Sequence, residues 1–239
     1  MTRNDNDWIH DMYTAEACDW TPMSVRHSVR VLFAPVSGDP EVTRRCTSVL
    51  SDLELERARR FVTDGLKAHF IQRRAFRRYC GALALRSPQP LSHVVFGETD
   101  TGRPYLPDLP DLWFSFSSSR SGFLGAWSST HAVGVDLEDQ TRNVETAELA
   151  EHFFSKSEAK VVSESGDLRT FLSLWCLKEA ALKSIGEGLP AGLDVFEFEL
   201  DPILRVVRAP PDGGGPERFH PYLIGGTDGC AALITRSKA

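Results

Sequence analysis

The sequence predicts an α+β protein made of two comparable halves, and three observations carry that prediction. Apolar residues recur at three- and four-residue steps over residues 40–60, 64–86, 145–165 and 167–185, which marks those segments as helices. Short runs of alternating apolar and polar residues, bounded by Pro and Gly, read as strands around them. Both kinds of segment are shared about equally between an N-terminal half, residues 26–130, and a C-terminal half, residues 131–239, without any repeat by sequence identity. That division permits a duplicated architecture. Residues 1–25 read as a loose N-terminal extension.

In chain order, SVRVLFAP (28–35) alternates Val29, Val31 and Phe33 before Pro35 and is the first expected strand. Leu50, Leu53 and Ala58, then Phe70, Ala75, Phe76, Tyr79 and Leu83, mark the apolar sides of two helices, with the basic residues largely between them. SHVVFGET is expected to be a strand, whereas the repeated prolines of TDTGRPYLPDLPDL forbid a helix. LWFSFSSSRSGFLGAWSS alternates like a hairpin, with Phe114 and Phe116 on one strand and Phe123, Leu124 and Trp127 on the next. HAVGVDLE is a third strand, and two helices follow it. Gly186 and Gly188 of GEGLPAGL supply the left-handed conformation that ends a helix. FEFELD, RVVRAP and HPYLIGG with CAALITR are short strands, and PPDGGGPE is a loop.

Composition narrows the class. Hydrophobic residues at 41% and charged residues at 25% are those of an ordinary globular protein. No apolar run approaches the roughly 20 residues of a membrane span, and the polar, acidic N-terminus is unlike a secretory signal. Cys18, Cys46, Cys80, Cys176 and Cys230 are scattered, odd in number and without a CxxC pair. Reduced thiols in a cytoplasmic protein are expected, not a disulfide framework or a structural zinc site.

Charge is uneven. Residues 1–130 carry 16 Lys and Arg against 15 Asp and Glu, while residues 131–239 carry 11 against 18. The basic excess concentrates in residues 54–78, ELERARRFVTDGLKAHFIQRRAFRR, which hold eight cationic residues and three acids. A nucleic-acid binder would be basic overall. A local basic element facing an acidic half suits either a small polyanion held between cations and a carboxylate-bound metal, or a solvated helix with its arginines outward.

Two segments carry candidate chemistry. In VGVDLED the period of a strand places Asp136 and Glu138 on one face and Val133, Val135 and Leu137 on the other. Adjacent carboxylates repel unless a cation or solvent intervenes, and hard oxygens on a rigid strand suit Mg²⁺, which keeps waters and substrate phosphate in its remaining positions. In LWCLKEAALK, Trp175, Glu179 and Lys183 are four apart and share one helix side. A third carboxylate near the other two would need a cation, and Lys183 one turn on can hold a phosphate oxygen. The alternative is hydrated acids at a strand end and an exposed Glu179–Lys183 pair worth about 0.3–0.5 kcal/mol. The histidines show no HxxH or HExxH spacing and FSFSSSRS contains no GxSxG elbow, so neither a zinc hydrolase nor a serine hydrolase is indicated.

Taken together and in order, LSDLELERARRF, TGRPYLPDLPDLWFSFSSSRSG, VGVDLE, EHFFSKSEA and LWCLKEAALKSIGEGL resemble the Sfp-type 4′-phosphopantetheinyl transferases, over about residues 28–200. The resemblance implies a single-chain pseudo-dimer of two similar α/β halves with coenzyme A and Mg²⁺ in the cleft between them. The basic N-terminal half would face the coenzyme A phosphates and the acidic C-terminal half would hold the metal. It implies transfer of 4′-phosphopantetheine to a serine of an apo acyl or peptidyl carrier protein, releasing adenosine 3′,5′-bisphosphate. Asp136, Glu138 and Glu179 match the metal acids, Glu179 also the base that takes the serine proton, and Lys183 the phosphate lysine. Arg57, His69, Arg74, Arg103, Ser117 and Ser118 fall at coenzyme A-binding positions, and Glu158 matches a conserved-type glutamate of open role.

The chain departs from the family's Asn-x-Ser-His-Ser, reading SFSSS instead, so Ser115 replaces asparagine and Ser118 replaces histidine; His69 stands where an arginine is expected. A charge-assisted phosphate contact is worth about 1.5–3 kcal/mol against about 1 kcal/mol for a neutral one. Weakened nucleotide binding is therefore expected unless Arg120 compensates. A homologue that binds carrier proteins or pantetheine-linked substrates but has lost or changed the reaction is the alternative. A monomer is expected, since one chain would supply both halves of the cleft, with no nucleic-acid or membrane partner.

Overall fold

A computed structural model describes residues 29–86, 89–140, 145–186, 192–225 and 229–237; the N-terminal extension and Gly188 lie outside these. Strand β1 (Arg30–Pro35) leads into helices α1 (Pro40–Thr47), α2 (Asp52–Ala58) and α3 (Asp64–Leu85). A ribbon, β2 (Gly97–Glu98) and β3 (Pro104–Tyr105), and a hairpin, β4 (Trp113–Ser118) and β5 (Gly122–Ser128), follow. β6 (His131–Asp139) opens a second passage in the same order: α4 (Thr146–Phe153), α5 (Lys156–Ser165), α6 (Leu168–Ile185), a ribbon of β7 (Glu197–Glu199) and β8 (Arg205–Arg208), then β9 (Phe219–Gly225) and β10 (Gly229–Ser237). Each passage forms a three-stranded antiparallel sheet with its last strand in the middle, β1-β5-β4 and β6-β10-β9. The fold is mixed helix and sheet, as the periodicities predict.

Burial follows those periodicities. Phe70, Ile71, Ala75 and Phe76 of α3 pack on Phe114 and Phe123 of the first sheet. Phe171, Leu174, Leu177 and Ala181 of α6 pack on Ala232 and Ile234 of the second. A third cluster joins the sheets to each other: Leu124 and Ala126 of β5 meet Val133, Val135 and Leu137 of β6 and Leu233 of β10. The alternate residues of β6 consequently face α6. Gly134 is among them, and a Cβ there would lie 1.8 Å from the Ala180 carbonyl oxygen. Helix and strand backbones touch because Ala180, Ala181 and Ser184, all fully buried, are small.

Three local expectations are corrected. The helix expected over 40–60 breaks at 48–51, where Ser51 and Glu54 form a reciprocal capping box that starts α2. The helix over 145–165 breaks at Phe154, and Ser155 with Glu158 forms a second box starting α5. SHVVFGET contributes only its Gly97–Glu98 to a strand and begins with a turn at Leu91–His93. Its backbone groups find another partner, since Arg78 Nη1 donates to the carbonyls of Leu91 (3.2 Å), Ser92 (3.0 Å) and Val94 (2.7 Å). Within the expected loop PPDGGGPE, Pro211–Gly213 and Pro216–Arg218 form short turns. The Cys46, Cys80, Cys176 and Cys230 side chains are buried. Among the described residues no helix is long and apolar enough to cross a membrane.

Glu54 ties the helical layer together, accepting from Arg74 Nε and from Arg78 Nη2, each at 2.6 Å. Burial works to raise the Glu54 pKa, but the Ser51 amide and the Arg78 and Arg74 guanidinium groups bring it down to about 2. A depressed carboxylate stabilises the folded state above the ordinary value near 4.5 and loses that contribution as pH falls toward about 2. Thermal unfolding followed from pH 6 to pH 2.5 should therefore fall less steeply below pH 4.5 in Glu54→Gln than in the parent protein.

Candidate functional site

α6 starts where Asp167 accepts from the Arg169 amide at 3.0 Å and ends at Gly186, whose φ of 78° is left-handed as expected. From Phe171 to Ser184 every residue is buried except Trp175, Glu179 and Lys183. The four-residue spacing read from the sequence thus coincides with the helix's one open side. Trp175 leans on an aromatic wall of Phe154 and Phe171, with ring centroids at 6.4 and 5.7 Å.

The two lysines of the segment have different surroundings. Lys178 is fully buried; its Nζ lies 2.7 Å from Glu158 Oε2 and donates to the carbonyls of Leu193 (3.1 Å) and Phe196 (2.5 Å). Burial lowers the Lys178 pKa against the opposing pull of Glu158. Glu158 also accepts from the amides of Ser155 and Phe198, each at 2.9 Å, so one carboxylate clamps α5, α6 and β7. Nothing in the apolar spacing of LWCLKEAALK separates Lys178 from an ordinary solvated lysine. The Ser-x-x-Glu capping signal at 155–158 was the available clue.

Lys183 reaches β6 and not Glu179. Its Nζ lies 2.7 Å from Asp136 Oδ1 and 3.1 Å from the Val135 carbonyl oxygen. Ser117 Oγ donates to the same Asp136 oxygen at 2.8 Å, while Asp136 Oδ2 is buried without a hydrogen-bond partner. Glu138 stands two residues on along β6, opposite Cys230 of β10. Burial raises the Glu179 pKa, the negative charge of Asp136 raises it further, and Lys183 opposes both. The Cys176 thiol is likewise pushed up, mainly by burial, with contributions from both Asp136 and Glu138. The three acids therefore share one electrostatic neighbourhood on the α6 side of β6. Among the described residues, however, no three His, Cys, Asp or Glu groups are gathered into a cluster able to hold a metal ion. In chemistry the donor set suits a hard divalent cation, since it is all oxygen and one buried oxygen is unpartnered.

β4 stitches the first half to this strand. Ser115 Oγ accepts from the Val135 amide at 3.0 Å, so the serine standing for asparagine bonds across the seam. At the hairpin tip Asp139 accepts from Ser119 Oγ (2.9 Å), from the Arg120 amide (2.8 Å) and from Ser121 Oγ. His69 Nε2 lies 2.8 Å from the Ser119 carbonyl oxygen, tying α3 to that tip. Arg103 lies over the Trp113 ring at 4.1 Å and shares a cavity of about 150 Å³ with Lys183.

Ser117, Asp136 and Lys183 are thus in direct contact, with Glu179 near and Arg103 across the cavity. The remaining candidates lie apart. Arg57 borders a hollow of about 540 Å³ with Leu53, Arg60 and Phe61, and His69 borders a groove of about 830 Å³ with Arg44, Arg59 and Lys67. Arg74 is engaged by Glu54. Ser118 ends β4 opposite Phe123, and Arg120 is exposed.

The family model of the 4′-phosphopantetheinyl transferase superfamily matches residues 132–219, which include β6 and α6. The chain is 31% identical over 193 residues to the 4′-phosphopantetheinyl transferase Sfp of Bacillus subtilis strain 168, covering 77% of this chain and 81% of that protein. Identity to the 4′-phosphopantetheinyl transferase ffp of Bacillus subtilis has the same extent. With the 4′-phosphopantetheinyl transferase HetI of a Nostoc species it is 31% over 163 residues, 65% of this chain and 67% of that protein.

Proposed function

Because the chain belongs to the 4′-phosphopantetheinyl transferase superfamily, we propose that it transfers 4′-phosphopantetheine from coenzyme A to a serine of an apo acyl or peptidyl carrier protein. The serine oxygen attacks the phosphorus bearing the pantetheine arm, the bond to the bridging oxygen breaks, and adenosine 3′,5′-bisphosphate leaves. Glu179 accepts the serine proton. Its open position on α6 and its raised proton affinity support that role. Lys183 steadies the phosphate charge beside the acids. Asp136, Glu138 and Glu179 would hold Mg²⁺, which when bound offsets the charge of a diphosphate that a carboxylate-rich site would otherwise repel. Arg57, His69, Arg74, Arg103, Ser117 and Ser118 are the proposed contacts to coenzyme A.

The observation that carries the proposal is the meeting of Asp136, Lys183 and Ser117 at the seam between the sheets, one α6 turn from Glu179. The repeated order of elements and identical strand order in the two passages support a pseudo-dimer with this cleft between a basic N-terminal half and an acidic C-terminal half. One such chain would act as a monomer in the cytoplasm.

Intact-mass measurement of apo carrier proteins incubated with this protein, coenzyme A and Mg²⁺ tests the reading. A phosphopantetheine mass gain is expected, abolished by EDTA and slowed about a hundredfold or more by Glu179→Gln. Carrier capture without any mass gain, across several carriers, would reject transfer in favour of a binding-only homologue.

A further inference from the structure

α3 bears four closely spaced arginines, and the fold treats them in two ways. Arg74 and Arg78 both reach Glu54 at 2.6 Å. Arg73 and Arg77 follow His69 at four-residue steps and so share a different side of the helix. Among the described residues Arg73 makes no ion pair, and the acid nearest Arg77 is Glu98 at 3.7 Å, itself 60% exposed. The Nε atoms of Arg73 and Arg77, like that of Arg78, are shut off from solvent without an acceptor, but Arg78 has Glu54 on its Nη2 and Arg73 and Arg77 have no such close acid. Leaving such donors buried and unpaired costs stability, and mutual repulsion adds to it. Burial, with Arg74 and Arg73, pushes the Arg77 pKa down to about 10, which leaves it cationic at neutral pH.

The cavity beside Arg77 offers a reason. Among the described residues its lining includes Arg77 from α3, Arg103 just before β3 and Lys183 from α6, and no carboxylate, although Lys183 also pairs with Asp136 at 2.7 Å. Phe116 supports the Arg77 guanidinium from below, with the ring centroid 5.1 Å away. At about 150 Å³ the cavity has room for about five water molecules, the scale of one phosphate group. Three cations converging on a partly enclosed space attract an anion.

We propose that Arg77, backed by Arg73, binds a phosphate group of the nucleotide substrate in this cavity and supplies positive charge that Ser118 and Arg120 do not. The assignment rests on the transferase reading. Neither arginine was among the coenzyme A contacts expected from the sequence, and nothing in their spacing separates them from Arg74 and Arg78. Only the position of Glu54 does.

Calorimetric titration of the full-length protein with coenzyme A and with 3′-dephospho-coenzyme A, at one ionic strength, tests it. Arg77→Gln should weaken coenzyme A binding about tenfold or more, the scale of a lost charge-assisted hydrogen bond. Arg73→Gln should weaken it less. Arg78→Lys should lower thermal stability with affinity changed less than about threefold, because its partners are Glu54 and the carbonyls of Leu91, Ser92 and Val94. Either ligand pattern supports the proposal: a penalty confined to coenzyme A assigns the 3′-phosphate, and one shared by both ligands assigns the diphosphate. Should Arg77→Gln fail to fold, Arg77→Met, which keeps the buried stem, carries the same expectation. Wild-type affinity in the Arg77 variants would overturn this assignment alone. Absence of coenzyme A binding by the parent protein would overturn the transferase reading and this assignment with it.

Discussion

Gly134→Ala should yield little or no folded protein. The added Cβ would sit 1.8 Å from the Ala180 carbonyl oxygen and 2.7 Å from the Ser184 amide nitrogen, both backbone atoms with no rotamer to change. α6 would have to withdraw from β6, loosening the packing of Ala180, Ala181 and Ser184. Overpacking of a close backbone contact belongs with the exceptional substitutions that cost about 4–5 kcal/mol or more. That is most of the roughly 5–15 kcal/mol that holds a typical domain together. Soluble yield and thermal unfolding by circular dichroism measure the outcome. Gly65→Ala is the matched control: nothing lies within 4 Å of its added methyl in the first turn of α3, so stability should hold or rise by up to about 1 kcal/mol. A Gly134→Ala protein melting within about 3 °C of the parent would show that the contact is not as tight as described. Any folded remainder should also be catalytically poor, because withdrawing α6 carries Lys183 away from Asp136.

Lys178→Met should cost about 3–5 kcal/mol, since it leaves Glu158 buried without its cation. Glu158→Gln should cost a similar amount from the other side, and more of its effect should fall on β7, whose Phe198 amide loses a charged acceptor. The double variant should be less damaged than the sum of the singles by at least about 1 kcal/mol, because the second change removes the charge that the first stranded. Chemical denaturation of the four proteins completes the cycle. Strict additivity would mean that Lys178 and Glu158 act independently. Lys178 immediately precedes Glu179, so loss of the pair should also lower transfer activity among molecules that remain folded.

The sequence disclosed the parts that local periodicity controls. The long helices, the β4–β5 hairpin and the three-residue open side of α6 were legible from spacing alone, and the left-handed cap at Gly186 from its chemistry. Helix ends were less so: the breaks at Ser51 and Ser155 carried a readable Ser-x-x-Glu signal that longer-range apolar periodicity outweighed. What stayed hidden depended on contacts far apart in the chain. Arg78, which holds the carbonyls of Leu91, Ser92 and Val94, is indistinguishable in sequence from the neighbouring Arg77, and the strand expected from SHVVFGET is lost to that contact. Lys183 could have paired with Glu179 one turn away, but the close approach at Gly134 brings Asp136 within reach instead.

The seam between the two sheets has a dynamic consequence. Only Ser129 and Thr130 separate β5 from β6, the Val135 amide is bonded across to Ser115, and the intervening surface is filled by Leu124, Ala126, Val133 and Val135. A tether that short, glued along its length, leaves no slack for a clamshell motion. Ligand exchange here should run on side-chain swings over picoseconds to nanoseconds and not on microsecond lobe closure. Cutting the polypeptide at 129–130 would for the same reason give two fragments with sticky apolar faces, each needing the other to stay in solution.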